Sequence, residues 1–187
     1  YAKQVREHRA QTPLFSHYKV ETELHKLHTT RVDLDSGAYL IINPTEALVS
    51  IDINSGKSTS EKTIEDTALK TNVEAADEIA KQLRLRDLSG LVVIDFIDMD
   101  SREHERQVER ALRNALRNDR ARTQTGFITD FGLLEMSRQR IRPTLEESMF
   151  KVCTQCNGTG SMSSPASSAT TILRGIEEEK LFTKADI

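Results

Sequence analysis

The segment 47–97 limits what this chain can fold into more than any other part of it. It holds two short apolar runs separated by one amphipathic stretch. Ala47-Leu-Val-Ser-Ile-Asp-Ile-Asn54 alternates apolar and polar residues toward its end, as a half-buried strand does. In 64–86, Val73, Ala76, Ile79, Ala80 and Leu83 fall on a single helical stripe. Leu91-Val-Val-Ile-Asp-Phe-Ile97 is almost continuously apolar, the pattern of a strand buried on both faces. A strand–helix–strand crossover of this kind makes its two strands parallel. The run 38–42, a turn at 43–46 containing Pro44, and 47–54 read as an antiparallel hairpin. Two further short strands are expected at 125–128 and 132–137. The fold class is therefore α/β, a mixed sheet built around a βαβ unit.

A helix is expected over 102–117, capped by Asp100 or Ser101. Val108, Ala111, Leu112, Ala115 and Leu116 form its inner face. Its outer face carries Arg102, Arg106, Arg110, Arg113 and Arg117, interleaved with Glu103, Glu105 and Glu109, and reads as a solvated charged surface. The 187 residues suffice for a core without disulfides. No apolar run approaches the roughly 18–20 residues of a membrane-spanning helix. The net charge of −3 excludes a globally basic nucleic-acid binder, so any RNA or DNA contact must come from local basic patches or metal ions. Residues 1–30 are polar, with His8, His17, His25 and His28 at irregular spacing; they read as solvated helix and loop rather than a metal cluster. Val20, Leu24 and Leu27 give a weak helical pattern there. The chain opens on polar residues with no signal-peptide core, and Tyr1 in place of Met suggests part of a longer protein. The stretch 55–58 is a polar break. Residues 161–171, rich in Ser, Ala and Thr, read as a linker, and a last helix is expected over 173–182.

Asp52 and Asp95 interrupt the two apolar strands of the βαβ unit near their carboxyl ends, where ligands of such sheets bind. A carboxylate in apolar sequence is costly unless paired or metal-bound. Two converging carboxylates are the protein's usual share of a Mg²⁺ site. Asn54 falls on the same strand face as Asp52 and suits an orienting role. Spacing alone leaves a second reading open, in which both aspartates cap loops or pair with arginines. Asp98 is the weaker ligand candidate, placed where a strand ends and a turn begins.

Cys153-Thr-Gln-Cys156-Asn-Gly158-Thr-Gly160 has the form of half a zinc knuckle. Structural zinc takes four ligands, and the chain offers no second pair. The other two thiolates are expected from a second copy of the chain, giving a metal-clamped homodimer. A redox pair or two inert thiols are the alternatives; a redox pair belongs at a strand-to-helix junction, which this is not.

These segments, with Thr71-Asn-Val-Glu-Ala-Ala76, Arg84-Leu-Arg-Asp-Leu-Ser-Gly90, Val93-Ile-Asp-Phe-Ile-Asp-Met99 and Phe131-Gly-Leu-Leu-Glu-Met-Ser-Arg-Gln-Arg140, resemble the catalytic region of the ribonuclease E/G family of bacterial endoribonucleases. The resemblance covers about residues 14–180. It implies that 1–27 ends an RNase H-like subdomain, 28–149 is a DNase I-like catalytic subdomain, 150–163 is the zinc link, and 164–187 opens a small dimerisation domain. It implies that Asp52 and Asp95 hold a catalytic Mg²⁺, supported by Asn54, and that Cys153 and Cys156 share a structural Zn²⁺ between two chains. The implied reaction is hydrolysis of single-stranded RNA to 5′-phosphate and 3′-hydroxyl ends, in RNA processing and mRNA decay. It implies the bacterial cytoplasm. Any inner-membrane attachment, and any contact with other RNA-decay proteins, would run through regions outside this chain. The family's S1 RNA-binding domain and 5′-end sensor have no counterpart here, and a dimer, or a tetramer of the whole protein, is expected.

Arg138, Arg140 and Arg142 are candidates for tracking an RNA backbone; an ion-paired basic face is the alternative. Two rival functions are a catalytically silent, zinc-linked module that binds RNA or partners, and a nuclease acting on DNA. The presence of Asp52, Asn54 and Asp95 argues against the silent module.

Overall fold

The computed structural model describes residues 5–56 and 64–182. These divide into two compact units, one reaching to Met149 and one starting at Phe150. The first unit opens with two short helices, α1 (Leu14–His17) and α2 (Val20–Lys26), and a short strand, β1 (Arg31–Asp33). The hairpin follows as β2 (Tyr39–Pro44) and β3 (Val49–Asn54). Then come α3 (Ile64–Leu85), β4 (Gly90–Asp95), α4 (Arg102–Leu116), β5 (Thr123–Ile128), β6 (Leu133–Arg138) and the short α5 (Leu145–Met149). Of the polar break at 55–58, positions 57 and 58 lie outside the described residues.

The six strands form one mixed sheet in the order β1-β2-β3-β4-β6-β5. Only β3 and β4 run parallel; every other neighbouring pair is antiparallel. This is the α/β mixed sheet expected from the apolar runs. One sheet face is buried across β2, β3, β4 and β6. Leu40 and Ile42 of β2, Ile51 of β3, Val92 and Ile94 of β4, and Leu134 and Met136 of β6 are at most 2% exposed. They pack in one core with Ala75, Ala76, Ile79, Ala80 and Leu83 of α3 and Val108, Leu112 and Leu116 of α4. The small alanines of α3 leave volume that Ile79 and Leu83 fill in that core.

The opposite face is more open, and here the expectation for β4 is corrected. Its apolar run is buried on one face only: Leu91 is 45% exposed and Val93 is half-buried. The helices cover a single layer, so strict alternation returns.

Helix α3 stops by backbone geometry. Asp87 takes φ +53, and the Leu88 amide reaches back to the Leu83 carbonyl at 3.1 Å. That is a Schellman stop, with buried Leu88 closing over Leu83. Helix α4 is capped by Ser101, whose hydroxyl accepts from the Glu103 amide.

In the second unit, residues 154–160 form a succession of turns and α6 (Pro165–Phe182) follows. The expected linker at 161–171 is therefore mostly helix. Ser164 accepts from the Ser167 amide as an N-cap, and Pro165 sits at the first helical position, where its missing N–H costs nothing. Thr170 and Thr171 turn their hydroxyls back to the carbonyls of Ala166 and Ser167, so a polar composition is absorbed into the helix. Among the described residues no helix is long and apolar enough to cross a membrane.

Candidate active site

The parallel register aligns Ser50 with Val93, Ile51 with Ile94 and Asp52 with Asp95. Partners in a parallel register point to the same face. Ile51 and Ile94 enter the core, and Asp52 and Asp95 stand side by side on the open face. Asn54, one pleat further along β3, donates from Nδ2 to Asp52 Oδ2 at 2.7 Å. The three residues singled out in the sequence thus meet at the carboxyl ends of two parallel strands.

Asp95 is held above the usual carboxylate range. Partial desolvation is the main cause, and the negative charges of Asp52 and Asp98 add to it. This is an electrostatic frustration that a bound cation relieves. Among the described residues no group of three or more His, Cys, Asp or Glu converges as a metal-binding set. Two carboxylates on an accessible surface suit a hard ion that keeps most of its waters, and Mg²⁺ is such an ion.

Asp98 lies in the exposed segment between β4 and α4, and Ser101, not Asp98, caps α4. Gly132, at the tip of the β5–β6 hairpin, comes so close that a Cβ there would stand 3.4 Å from Asp98 Oδ1 and 3.3 Å from the Phe96 carbonyl. With φ +77 as well, this position favours glycine.

Three residues that hold this region were missed in the sequence. Asn72, fully buried on α3, donates to the Ile97 carbonyl at 2.8 Å and accepts from the Ile97 amide at 3.0 Å. Glu65, two turns earlier on α3, accepts from the Asp100 amide at 3.1 Å and pairs with His104 Nδ1 at 2.6 Å. The Asp100 amide is the leading cause, and His104 the next, of a Glu65 carboxyl held below its ordinary range. The sequence signals for Asn72 were a polar residue beside an apolar stripe and its place in the 71–76 segment that carries the family resemblance.

The arginines divide. Arg138 is corrected: it does not face outward for RNA. It occupies a covered-face position of β6, and its side chain is 3% exposed and that of its partner Asp119 2%. Nε and Nη2 donate to the two Asp119 oxygens at 2.8 and 3.0 Å, and Nη1 to the Leu88 carbonyl at 2.8 Å. Burial pushes the Asp119 carboxyl up, but Arg138 and the Ala121 amide outweigh it and hold the group below its ordinary value. Arg140 and Arg142 are exposed, paired with Glu147 and Asp87 at 2.6 Å each. The arginine face of α4 is laced with ion pairs, Arg102 to Asp130 and Arg110 to Glu103. Glu109 is a different case from the solvated glutamates expected there. It is buried and accepts from the Ile128 amide at the β5 irregularity.

Cys153 is exposed and Cys156 half-buried. The amides of Gly160 and Gly158 lead in holding the Cys156 thiol below its ordinary range, with Cys153 and the Thr159 amide adding to the effect. Gly158 and Gly160 have φ +86 and +72, the conformation that turns their amides toward sulfur. Such a knuckle favours thiolate, the form that binds metal.

Comparison with known proteins adds a direct finding. The model of the ribonuclease E/G family matches residues 1–141. Ribonuclease E of Haemophilus influenzae is 52% identical over 181 residues, covering 97% of this chain and 19% of that protein. Ribonuclease E of Escherichia coli K12 is also 52% identical over 181 residues, 97% of this chain and 17% of that protein. Ribonuclease G of Escherichia coli K12 is 40% identical over 164 residues, 88% of this chain and 34% of that protein. The chain thus spans under a fifth of the length of these two ribonucleases E.

Proposed function

Since this chain belongs to the ribonuclease E/G family, we propose that it carries the chemistry of a Mg²⁺-dependent endoribonuclease that cuts single-stranded RNA to 5′-phosphate and 3′-hydroxyl ends. The observation that carries this reading is the Asp52–Asp95 pair, brought side by side by the only parallel register of the sheet, with Asn54 bonded to Asp52. Bound between the two carboxylates, Mg²⁺ would neutralise charge growing on the scissile phosphate and lower the pKa of attacking water. The chain's own residues supply the frame. Asn54 fixes one oxygen of the exposed Asp52 carboxylate. Asp95 gains a reason to stay ionised once a cation offsets Asp52 and Asp98.

The division of the fold after Met149 supports reading residues 28–149 as the catalytic subdomain and 150–163 as a link. In that link, Cys153 and Cys156 would bind Zn²⁺ together with the same pair from a second chain. The lowered Cys156 thiol is the support for this. RNA processing and mRNA decay in the bacterial cytoplasm follow from the family as the setting.

The test is single-turnover cleavage of one short single-stranded RNA and its DNA counterpart. Asp52→Asn and Asp95→Asn are expected each to abolish Mg²⁺-dependent cutting while RNA affinity persists. Their combination should cost no more than either alone, because both disable one ion. Asp98→Asn should keep most activity. Substantial cutting by either of the first two variants would overturn the assignment, and equal cutting of DNA would overturn the RNA preference.

A further inference from the structure

We propose that Asn72 is a positioning residue for the metal site: through its two hydrogen bonds to Ile97 it sets where Asp95 and Asp98 stand. The inference rests on the reading of Asp52 and Asp95 as metal ligands.

The segment after Asp95 leaves the sheet and is not helical until Arg102. Such a stretch ordinarily moves more than the elements it joins. Here its backbone is held repeatedly. The Phe96 amide donates to the Gly132 carbonyl at 3.2 Å. Ile97 is gripped at both of its polar groups by the Asn72 side chain, at 2.8 and 3.0 Å. The Asp100 amide is taken by Glu65. Two side chains of α3, two helical turns apart, therefore hold one loop.

The Asn72 contact differs from the others in kind. One hydrogen bond fixes a distance and leaves rotation free; a side-chain amide bonded to both the N–H and the C=O of one residue also fixes orientation. Asn72 is 0% exposed, so water does not compete for these bonds. Ile97 lies two residues after Asp95 and one before Asp98. Its orientation is passed to Asp98, its chain neighbour, and through Phe96 to Asp95. An apolar side chain at position 72 would leave both polar groups of Ile97 without this partner.

A purely structural role would change stability alone. A positioning role also changes affinity for the ion. Outer-shell partners of metal ligands typically contribute about 10–100-fold in affinity. The experiment is a titration of the whole 187-residue chain with Mn²⁺, free ion being read by electron paramagnetic resonance. Amide hydrogen exchange at Ile97 is followed in parallel. Asn72→Ala is expected to weaken Mn²⁺ binding by about 10-fold or more and to speed exchange at Ile97, with the circular dichroism of the fold retained. Ile79→Ala, a core deletion on the same helix, should lower stability and leave the Mn²⁺ midpoint unmoved. Asn72→Ser, a smaller lesion, is judged by the same criterion should the alanine variant not fold. In the unmodified protein the Ile97 amide should exchange more slowly than that of Asp98.

Wild-type Mn²⁺ affinity in a folded Asn72 variant overturns the proposal, as does an equal shift from Ile79→Ala or fast exchange at Ile97 in the unmodified protein. If Asp52→Asn binds Mn²⁺ as tightly as wild type, the metal-site reading itself fails and the proposal falls with it.

Discussion

Asp95 shows how a single side chain can work against its own fold. Its carboxyl is held above the usual range by desolvation, by Asp52 and by Asp98. An acid whose folded-state pKa exceeds its unfolded one binds more protons when folded, so stability falls as pH rises through that interval. Without metal the penalty is present above that interval, where the carboxylate is ionised in both states. Asp95→Asn is therefore expected to raise the melting temperature in EDTA at pH 7, and the gain should shrink as pH drops through the carboxylate range. Added Mg²⁺ should raise the melting temperature of the wild type and leave Asp95→Asn unmoved. Thermal scans at three pH values, with and without Mg²⁺, check this; a destabilised variant at pH 7 in EDTA would contradict it. Asp52, Asn54 and Asp95 were legible in the sequence because polar residues inside apolar strands have few inexpensive explanations. The role of Asn72 was not, because its partner lies 25 residues away, although the segment around it carries the family resemblance.

At the scale of elements, periodicity identified the strands and helices that face the core. It did not identify β1, whose three residues acquire strand structure only from pairing with β2. It also misjudged β4, since a continuous apolar run does not say whether one layer or two will cover it. Arg138 looked like part of an exposed basic run because charge suggests surface. The alternation of β6, with Leu134 and Met136 facing the core, placed it inside, and Asp119 made that tolerable. Breaking a buried pair by removing one partner costs about 3–5 kcal/mol. Arg138→Met is expected to destabilise the fold by that order, seen as a lower urea midpoint. Replacing Asp119 as well, by Leu, should recover part of the loss, because no uncompensated carboxylate then remains. The pair's contribution is present above the ordinary aspartate range and is lost as pH falls through the depressed Asp119 value. A loss under 1 kcal/mol for Arg138→Met would mean that the pair is dispensable.

For the whole molecule, the cysteine turn and the sheet that carries Asp52 and Asp95 belong to separate compact units, so the roles proposed for them should be separable by mutation. Cys153→Ser and Cys156→Ser are expected each to release zinc and to shift mass in solution toward the single chain. Metal analysis combined with light scattering reads both quantities, with half a zinc atom per chain expected before mutation. An unchanged oligomer lacking zinc would rule out a shared site. Cleavage chemistry at Asp52 and Asp95 should survive the loss of zinc to the extent that RNA still binds.

The placement of β4 has a consequence for the order in which the molecule comes into being. One edge of that strand pairs with β3, synthesised before it, and the other with β6, synthesised after it. A ribosome releases Asp52 within a hairpin that closes locally, well ahead of Asp95. Bringing the two together requires the whole α3 crossover to form, and long-range closure is the slow part of folding. The β4 strand keeps an unpaired edge until β6 emerges, and Arg138 meets both Asp119 and Leu88 only then. A nascent chain halted between Asp95 and β6 holds both carboxylates in sequence without a finished sheet around them. The proposed metal site is thereby complete only once nearly the entire sheet has been made.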